Sequence, residues 1–168
     1  YLSYQWHMDA VGASNAWTMS TGAGTIVAVI DTGVSSGPND GIGSLVAGYD
    51  FANNDSDASD DNGHGTHVAG TIAQTTNNGL GVAGLAPGAT ILPIKALSAS
   101  GSGRSEWVAA AIDEAGDQGA QIINLSLGGA RSRVIANAVE KAQARGILVI
   151  AAAGNSGRKG VGSPAALP

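Results

Sequence analysis

Short apolar runs that alternate with helical patterns restrict the fold of this chain more than any other feature of its sequence. The runs are rich in Val, Ile and Leu and bounded by Gly, Pro or Asp, as buried strands are, and they cover residues 25–30, 90–95, 121–125 and 147–152. Helical spacing of apolar residues occurs between them, at residues 64–74, 105–115 and 132–145. Strands that alternate with helices build βαβ units. The sequence therefore predicts an α/β fold, a doubly wound parallel sheet covered by helices on both faces.

Composition narrows the possible classes of function. The 168 residues suit one domain, and we expect all of residues 1–168 to belong to a single one. No stretch approaches the roughly 20 apolar residues of a membrane span. The net charge is −5 without a Lys/Arg cluster, so neither a nucleic acid nor a membrane is expected as a partner. The absence of cysteine excludes a thiol nucleophile and Cys-bound zinc. The sequence starts without an initiator Met or a signal-peptide pattern, so we expect a processed or trimmed start. The lack of cysteine leaves the compartment open, and our expectation is a secreted, extracellular protein.

Asp31 and His64 are the candidate pair for proton transfer. Asp31 directly follows a predicted strand, at the edge where doubly wound sheets bind their ligands, and a buried carboxylate there needs a hydrogen-bonded partner. His64 begins a predicted helix. In a Ser-His-Asp site the carboxylate accepts from the imidazole Nδ1–H and leaves Nε2 free to take the serine proton. Taken singly, Asp31 is better explained as a strand-end turn residue and His64 as an exposed helix start, and only the two together indicate catalysis.

Four motifs in order resemble the subtilase family of subtilisin-like serine endopeptidases, and within it the thermitase type. They are Val29-Ile30-Asp31-Thr32-Gly33, His64-Gly65-Thr66-His67-Val68-Ala69-Gly70, Asn124-Leu125-Ser126-Leu127-Gly128-Gly129 and Ala152-Ala153-Gly154-Asn155-Ser156-Gly157. The resemblance implies a subtilisin-like fold, incomplete in this chain, with a catalytic Asp at Asp31 and a catalytic His at His64. It also implies that the Asn155 side chain belongs to the oxyanion hole, although turn geometry alone also favours an Asn.

The resemblance further implies a cleft for a polypeptide substrate in extended conformation. Its walls would be Gly101-Ser102-Gly103 on one side and Ser126-Leu127-Gly128 on the other, with Ala153 and Gly154 beside the oxyanion Asn. A peptide between two such segments gains main-chain hydrogen bonds as an added strand. Glycine-rich edges are also what ordinary turns look like, so this expectation depends on the family context.

Two loops are candidate Ca²⁺ sites. The acidic segment that contains Asp50, Asn53, Asp55 and Asp57 offers oxygen donors at short intervals, the ligands that Ca²⁺ prefers, and resembles a thermitase-type calcium loop. Composition alone favours a solvated acidic loop, and the expectation of calcium depends on the resemblance. The resemblance implies a second site formed by the side chains of Asp40 and Asn78 and the carbonyls of Thr75, Leu80 and Val82. Asp40 and Asn78 are also common turn residues.

A nucleophile is the missing part of the predicted triad. Subtilases carry the serine in a Gly-Thr-Ser-Met-Ala segment, which these 168 residues do not contain. We therefore expect the N-terminal part of a serine endopeptidase, with a second chain that carries the C-terminal part and completes the triad. The chain by itself should be inactive. A non-catalytic peptide-binding fragment or pseudoprotease stays open as the alternative.

Overall fold

The computed structural model describes residues 4–37, 40–157 and 160–168. The strands are β1 (Ile26–Asp31), β2 (Tyr49–Asp50), β3 (Thr90–Lys95), β4 (Ile122–Leu125) and β5 (Leu148–Ala151). The helices are α1 (Trp6–Ala10), α2 (Ala13–Trp17), α3 (His64–Ala73), α4 (Ser105–Asp117) and α5 (Arg133–Ala144). The strands and helices predicted from the sequence are confirmed to within two residues at each end, and β2, α1 and α2 are elements that the pattern does not predict.

The strands form one parallel sheet in the order β2-β3-β1-β4-β5, which places β1 at its centre. Alternate residues of β1 face opposite sides of the sheet. Ala28 and Ile30 pack in the core beneath α4 and α5, whereas Val27 and Val29 pack in the core beneath α3. Helices thus cover both faces, and the predicted doubly wound α/β fold is confirmed. None of the helices in the described residues has both the length and the apolar composition needed to cross a membrane.

The order of the elements opens a crevice at the carboxyl end of β1. After β1 the chain passes to α3 on one face of the sheet, whereas after β3 and β4 it passes to α4 and α5 on the other face. In open α/β sheets, ligands bind where connections diverge in this way. Asp31, the last residue of β1, lies at this point.

Two glycines allow the chain to pack closely around the end of β1. Gly33 has a φ of +105°, and a Cβ there would lie 2.6 Å from the carbonyl oxygen of Ser59. A Cβ on Gly65, in the first turn of α3, would collide with the carbonyl oxygen of Gly33. The absence of both Cβ atoms therefore lets α3 start directly beside the strand end, which brings His64 to Asp31.

Strand β5 forms an edge of the sheet in the described part of the chain. It pairs with β4 alone, and Leu148 and Ile150 are 56% and 47% exposed. Parallel strands are normally buried on both faces. An apolar edge of this kind is a surface on which further chain can pair and pack.

Candidate active site

Asp31 and His64 form a hydrogen-bonded pair. The His64 Nδ1–H lies 2.7 Å from Asp31 Oδ1, to which it donates. The carboxylate is completely buried, whereas the imidazole is 52% exposed and lines an open cleft. The carboxylate therefore sets the proton on Nδ1, which leaves Nε2 as the basic nitrogen of the neutral ring.

The Asp31 carboxylate is held by the residue that follows it. Its Oδ1 also accepts a hydrogen bond of 2.7 Å from the Thr32 backbone N–H. Its Oδ2 has no hydrogen-bond partner among the described residues. Oδ1 thus has two donors, so the carboxylate has a fixed orientation toward the ring of His64.

Asp60 connects the end of β1 to the start of α3. Its Oδ1 accepts from the Thr32 hydroxyl at 2.8 Å, and its Oδ2 accepts from the Thr66 N–H and hydroxyl at 2.9 and 2.6 Å. Further bonds come from the N–H groups of Asn62 and Gly63. Burial by itself would raise the pKa of Asp60, but the hydrogen bonds from Thr66, Gly63 and Asn62 outweigh it and hold the pKa well below 3.8.

Replacing Asp60 with Asn should destabilise the folded chain by about 1 kcal/mol, because a charged acceptor at the N-terminus of α3 is lost. The pKa of Asp60 is lower in the folded than in the unfolded chain, so this stabilisation is present above about pH 4 and disappears as the pH falls further. Urea unfolding at pH 7 and at pH 3 measures it. The difference between parent and variant should be smaller at pH 3.

The matched control for this prediction is Asp113→Asn, which removes a solvent-exposed ion pair with Lys141. Such pairs contribute less than about 1 kcal/mol. An Asp60→Asn variant that is no less stable than the Asp113→Asn variant at pH 7 would contradict the connecting role of Asp60.

The predicted substrate-binding residues line two neighbouring clefts. The first has a volume of about 550 Å³ and contains His64 in its wall. It is also lined by Gly101, Ser102, Gly103, Ser126, Leu127 and Gly128. The second has a volume of about 490 Å³ and is lined by Ala153, Gly154 and Asn155. Because residues 126–129 belong to both walls, one extended ligand could lie along this segment and reach both clefts.

Asn155 lies beside a different cleft from His64 in the described residues. It is exposed, in the turn after β5, and the preceding Gly154 has a φ of +94°. It lines the second cleft and does not line the first, whose lining includes His64. Asp31 and His64 are therefore hydrogen-bonded to each other, whereas Asn155 is connected with them only through residues 126–129, which line both clefts.

Comparison with known proteins gives the family. The model of the subtilase family matches residues 22–168, nearly the whole chain. The chain belongs to the subtilase family. The prediction made from the four motifs is confirmed.

Several relatives cover almost all of this subtilase chain. It is 45% identical to thermitase of Thermoactinomyces vulgaris over 98% of the chain and 60% of thermitase. A thermophilic serine proteinase of Bacillus sp. (strain AK1) is also 45% identical, over 98% of the chain and 42% of the relative. The crystal structure of a cold adapted subtilisin-like serine proteinase matches with a TM-score of 0.72 and 41% identity, over 82% of this chain and 49% of that one. The chain thus spans at most three fifths of these relatives.

The first candidate calcium loop of this subtilase is a tight turn. Asp50 is buried, and its Oδ1 accepts from the N–H groups of Ala52 and Asn53. Its Oδ2 accepts from the Asn53 amide, and Asp55 Oδ1 accepts from the Asp57 N–H. Within the described residues no group of three or more His, Cys, Asp or Glu is arranged to hold a metal. These carboxylate oxygens are the kind of ligand that Ca²⁺ binds. In the structure they accept hydrogen bonds from the N–H groups of the turn.

The second candidate loop of the subtilase chain brings Asp40 and Asn78 together. The Asn78 amide donates to Asp40 Oδ1 at 2.9 Å, and the Thr75 hydroxyl donates to the Gly41 carbonyl. The Leu80 N–H donates to the Asn78 side chain. Bonds from the amides of Asn78 and Gln74 and from the Val82 N–H lower the pKa of Asp40. The carboxylate is therefore ionised at the mouth of this loop, where a cation could replace the Asn78 amide as its partner.

Sequence reasoning missed Thr32, Asp60 and Asn62. Asn62 lines the first cleft, its Oδ1 accepts from the His64 N–H, and its amide donates to the Ala99 carbonyl. A signal for this role exists, because Asp60-Asp61-Asn62-Gly63 directly precedes α3 and Asp and Asn are preferred residues at a helix start.

Proposed function

We propose that the protein is a serine endopeptidase that hydrolyses peptide bonds by acyl transfer. The observation that supports this most is the bond between the buried Asp31 carboxylate and the Nδ1–H of the half-exposed His64. A ring with its second nitrogen free at a cleft wall can accept a proton from a nucleophile and return it to a leaving group. The family context favours a serine as that nucleophile.

Each group has a distinct role in the proposed reaction. His64 Nε2 takes the proton of the serine hydroxyl as its oxygen attacks the scissile carbonyl, and the Asp31 carboxylate stabilises the imidazolium that forms. The Asn155 amide donates to the carbonyl oxygen as it gains negative charge. His64 then protonates the leaving amine, and a water molecule activated by the same ring hydrolyses the acyl-enzyme. A substrate in extended conformation would lie between residues 101–103 and 126–128.

The serine of this proposal comes from a C-terminal segment outside these 168 residues, continuous with the chain or held as a second chain. Two observations support such a segment: the relatives are longer than this chain, and β5 has an open edge with exposed apolar side chains, Leu148 and Ile150, on one of its faces. Additional strands on that edge would extend the sheet and complete the site.

A fluorophosphonate probe tests this proposal on the protein purified from its source. Intact mass and a denaturing gel show whether a second polypeptide accompanies the chain, and the probe marks a reactive serine. Covalent labelling outside residues 1–168, together with cleavage of an unfolded protein substrate, is the expected result. Labelling of a serine within these residues, or no labelling of a protein that binds peptides, would contradict it.

A second candidate is a peptide-binding protein without catalysis. It is favoured by one observation, that no serine hydroxyl forms a hydrogen bond with His64 within the described residues. The two candidates differ in a simple experiment, because a binding protein retains an intact peptide whereas a peptidase releases fragments from it.

Replacing Asn155 with Ala should lower kcat by about 10²–10³ with little change in KM, a magnitude carried over from the equivalent measurement on subtilisin. The amide would contact the substrate oxygen most strongly once that oxygen is charged, so its loss affects the transition state. Steady-state hydrolysis of a chromogenic peptide by the full-length protein measures it. Asn137→Ala, on the exposed surface of α5, is the control, and equal activity of the two variants would argue against an oxyanion role.

We also propose that the loops around Asp50 and Asp40 bind Ca²⁺ and thereby stabilise the fold. A ligand that binds the folded state alone contributes about 2.7 kcal/mol at 100 times its Kd, so a chelator should lower the melting temperature by about 5–10 °C. Calorimetry with and without chelator measures this. Asp57→Ala should reduce the response, whereas Asp117→Ala, in the ion pair with Arg145, should leave it unchanged. Melting that does not depend on chelator would exclude both sites.

We also propose that the protein is secreted. An extracellular location is compatible with a peptidase, because it does not meet the proteins of its own cell there. Detection of the mature chain in the culture medium, and not in washed cells, is the expected result.

A further inference from the structure

Lys95 is a buried cation that no step of the proposed reaction uses. The residue is 1% exposed, and it is the only buried Lys, Arg or His of the residues that the structure describes. Its Nζ donates to the carbonyl oxygens of Thr32 at 2.7 Å and Leu97 at 3.0 Å, and to Asp61 Oδ1 at 2.5 Å. An ammonium group has three N–H donors, and each one has an acceptor here.

The position of Lys95 in the sheet places it beside the end of β1. It is the register partner of Asp31, and the two following N–H groups, of Ala96 and Leu97, donate to the Asp31 carbonyl at 2.9 and 3.0 Å. The ammonium then binds the next carbonyl, that of Thr32. Residues 95–97 therefore hold two consecutive carbonyl groups at the point where the Asp31 side chain turns toward His64.

The third bond of the ammonium reaches the segment that leads into α3. Asp61 lies between Asp60, which binds Thr32 and Thr66, and Asn62, which accepts from the His64 N–H. One buried nitrogen is thus bonded to both chain segments of the pair: to a carbonyl of the segment that carries Asp31 and to a carboxylate of the segment that leads to His64.

A contribution to stability alone does not explain why a charged Lys95 occupies this buried position. Burial of a charged pair costs desolvation energy that its attraction barely repays, and an apolar side chain of similar size is often at least as stable. The Asp61 carboxylate is 48% exposed, so water screens its attraction for the ammonium. The ion pair therefore repays little of the desolvation cost of the fully buried cation. The specific geometry that the three bonds impose is the property that an apolar residue would lack.

We propose that Lys95 is a positioning residue for the Asp31–His64 pair. Its ammonium fixes the Thr32 carbonyl relative to Asp61, and this keeps the Asp31 carboxylate within hydrogen-bond distance of the His64 ring. The proposal concerns the hydrogen bond between Asp31 and His64, so only the expected effect on kcat rests on the proposed function.

The test compares Lys95→Met and Lys95→Arg with Lys141→Met, a surface control that loses an exposed ion pair. The readout is the ¹⁵N chemical shifts of the His64 ring in the full-length protein, at a pH where the ring is neutral. These shifts distinguish the Nδ1–H tautomer, which the Asp31 carboxylate imposes, from the Nε2–H tautomer that a free histidine side chain prefers. His64→Ala and Asp31→Ala assign the signals and give the value for a broken pair.

The parent, Lys141→Met and Lys95→Arg should all show the Nδ1–H tautomer. Folded Lys95→Met should show a substantial fraction of the Nε2–H tautomer, and its kcat should fall about 10–100-fold at unchanged KM, as expected when a reacting group is misplaced by a fraction of an ångström to 1 Å. Lys95→Arg keeps the charge but carries a larger, planar group, so its kcat should lie between those of the parent and Lys95→Met.

A folded Lys95→Met variant that retains the parental tautomer overturns the proposal, whatever its stability. If that variant does not fold, Asp61→Ala serves, because it removes only the partly exposed acceptor, and a parental tautomer there is equally decisive. A protein without any peptidase activity whose tautomer still responds to Lys95→Met would refute the proposed function and support the positioning role.

Discussion

Replacing His64 with Ala should lower kcat of the full-length protein by about 10⁶-fold, a magnitude known from subtilisin and carried over from it. His64 carries the proton in every step of the proposed reaction, and the described residues around the first cleft offer no other imidazole to replace it. The nucleophile would remain, but its hydroxyl would lack a base. Single-turnover release of a chromogenic leaving group, with active sites counted by titration, measures the loss.

The control for this prediction lies one turn further along the same helix. His67→Ala removes an exposed imidazole that lines a different cavity, on the side of α3 where Gln5 and Thr71 lie. Its kcat should stay within about threefold of the parent. A His64→Ala variant that retains more than about 1% of the parental kcat would show that another group is the base.

The large elements of the fold were predictable because each has a strong local signal. The strands β1 and β3 are apolar runs buried at every residue but the first, with abrupt polar ends, and α5 has Ser132 as its N-cap and Gly146 after its last turn. Strand β2 has no such signal. It consists of Tyr49 and Asp50, and only pairing with Ile94 and Lys95 of β3 makes it a strand.

The site was predictable only in part, for a related reason. Asp31 and His64 stand in motifs whose residues are all close in sequence. The residues that join them are remote: the Lys95 ammonium binds Thr32 across 63 positions, and the Thr32 hydroxyl binds Asp60 across 28. Those bonds depend on strand order and on the path of the loop before α3, which no local pattern encodes.

The acidic loop illustrates how composition leaves two outcomes open. Four oxygen-bearing side chains within eight residues predict a cation site, and the same side chains are good acceptors for the N–H groups of a turn. In the structure Asp50 and Asp55 serve the turn. Whether a cation competes for these oxygens depends on its concentration, which explains why the chelator experiment, and not the sequence, decides the matter.

Replacing Asp31 with Ala should lower kcat by about 10⁴-fold, again a magnitude carried over from subtilisin. The loss is smaller than for His64→Ala because the base itself remains. Without the carboxylate nothing fixes the proton on Nδ1, and the imidazolium forms without a negative partner. The buried Thr32 N–H also loses its acceptor, so some loss of stability should accompany the loss of rate. Steady-state kinetics with active-site titration measures kcat per folded molecule.

The geometry around Asp31 also allows its two contributions, the orientation of the His64 ring and the negative charge, to be measured separately. In Asp31→Asn the amide oxygen can still accept from the Thr32 N–H and the His64 Nδ1–H, because both bonds end on the single atom Oδ1. Orientation would then be kept while the negative charge is lost. An amide can also turn its NH₂ toward Nδ1 and favour the other tautomer, so kcat of Asp31→Asn measures the value of the charge only if the ¹⁵N shifts of His64 still show the Nδ1–H tautomer. Asp113→Ala, on the surface of α4, is the control. Loss of less than about tenfold in Asp31→Ala would mean that the pair does not act in the chemical step.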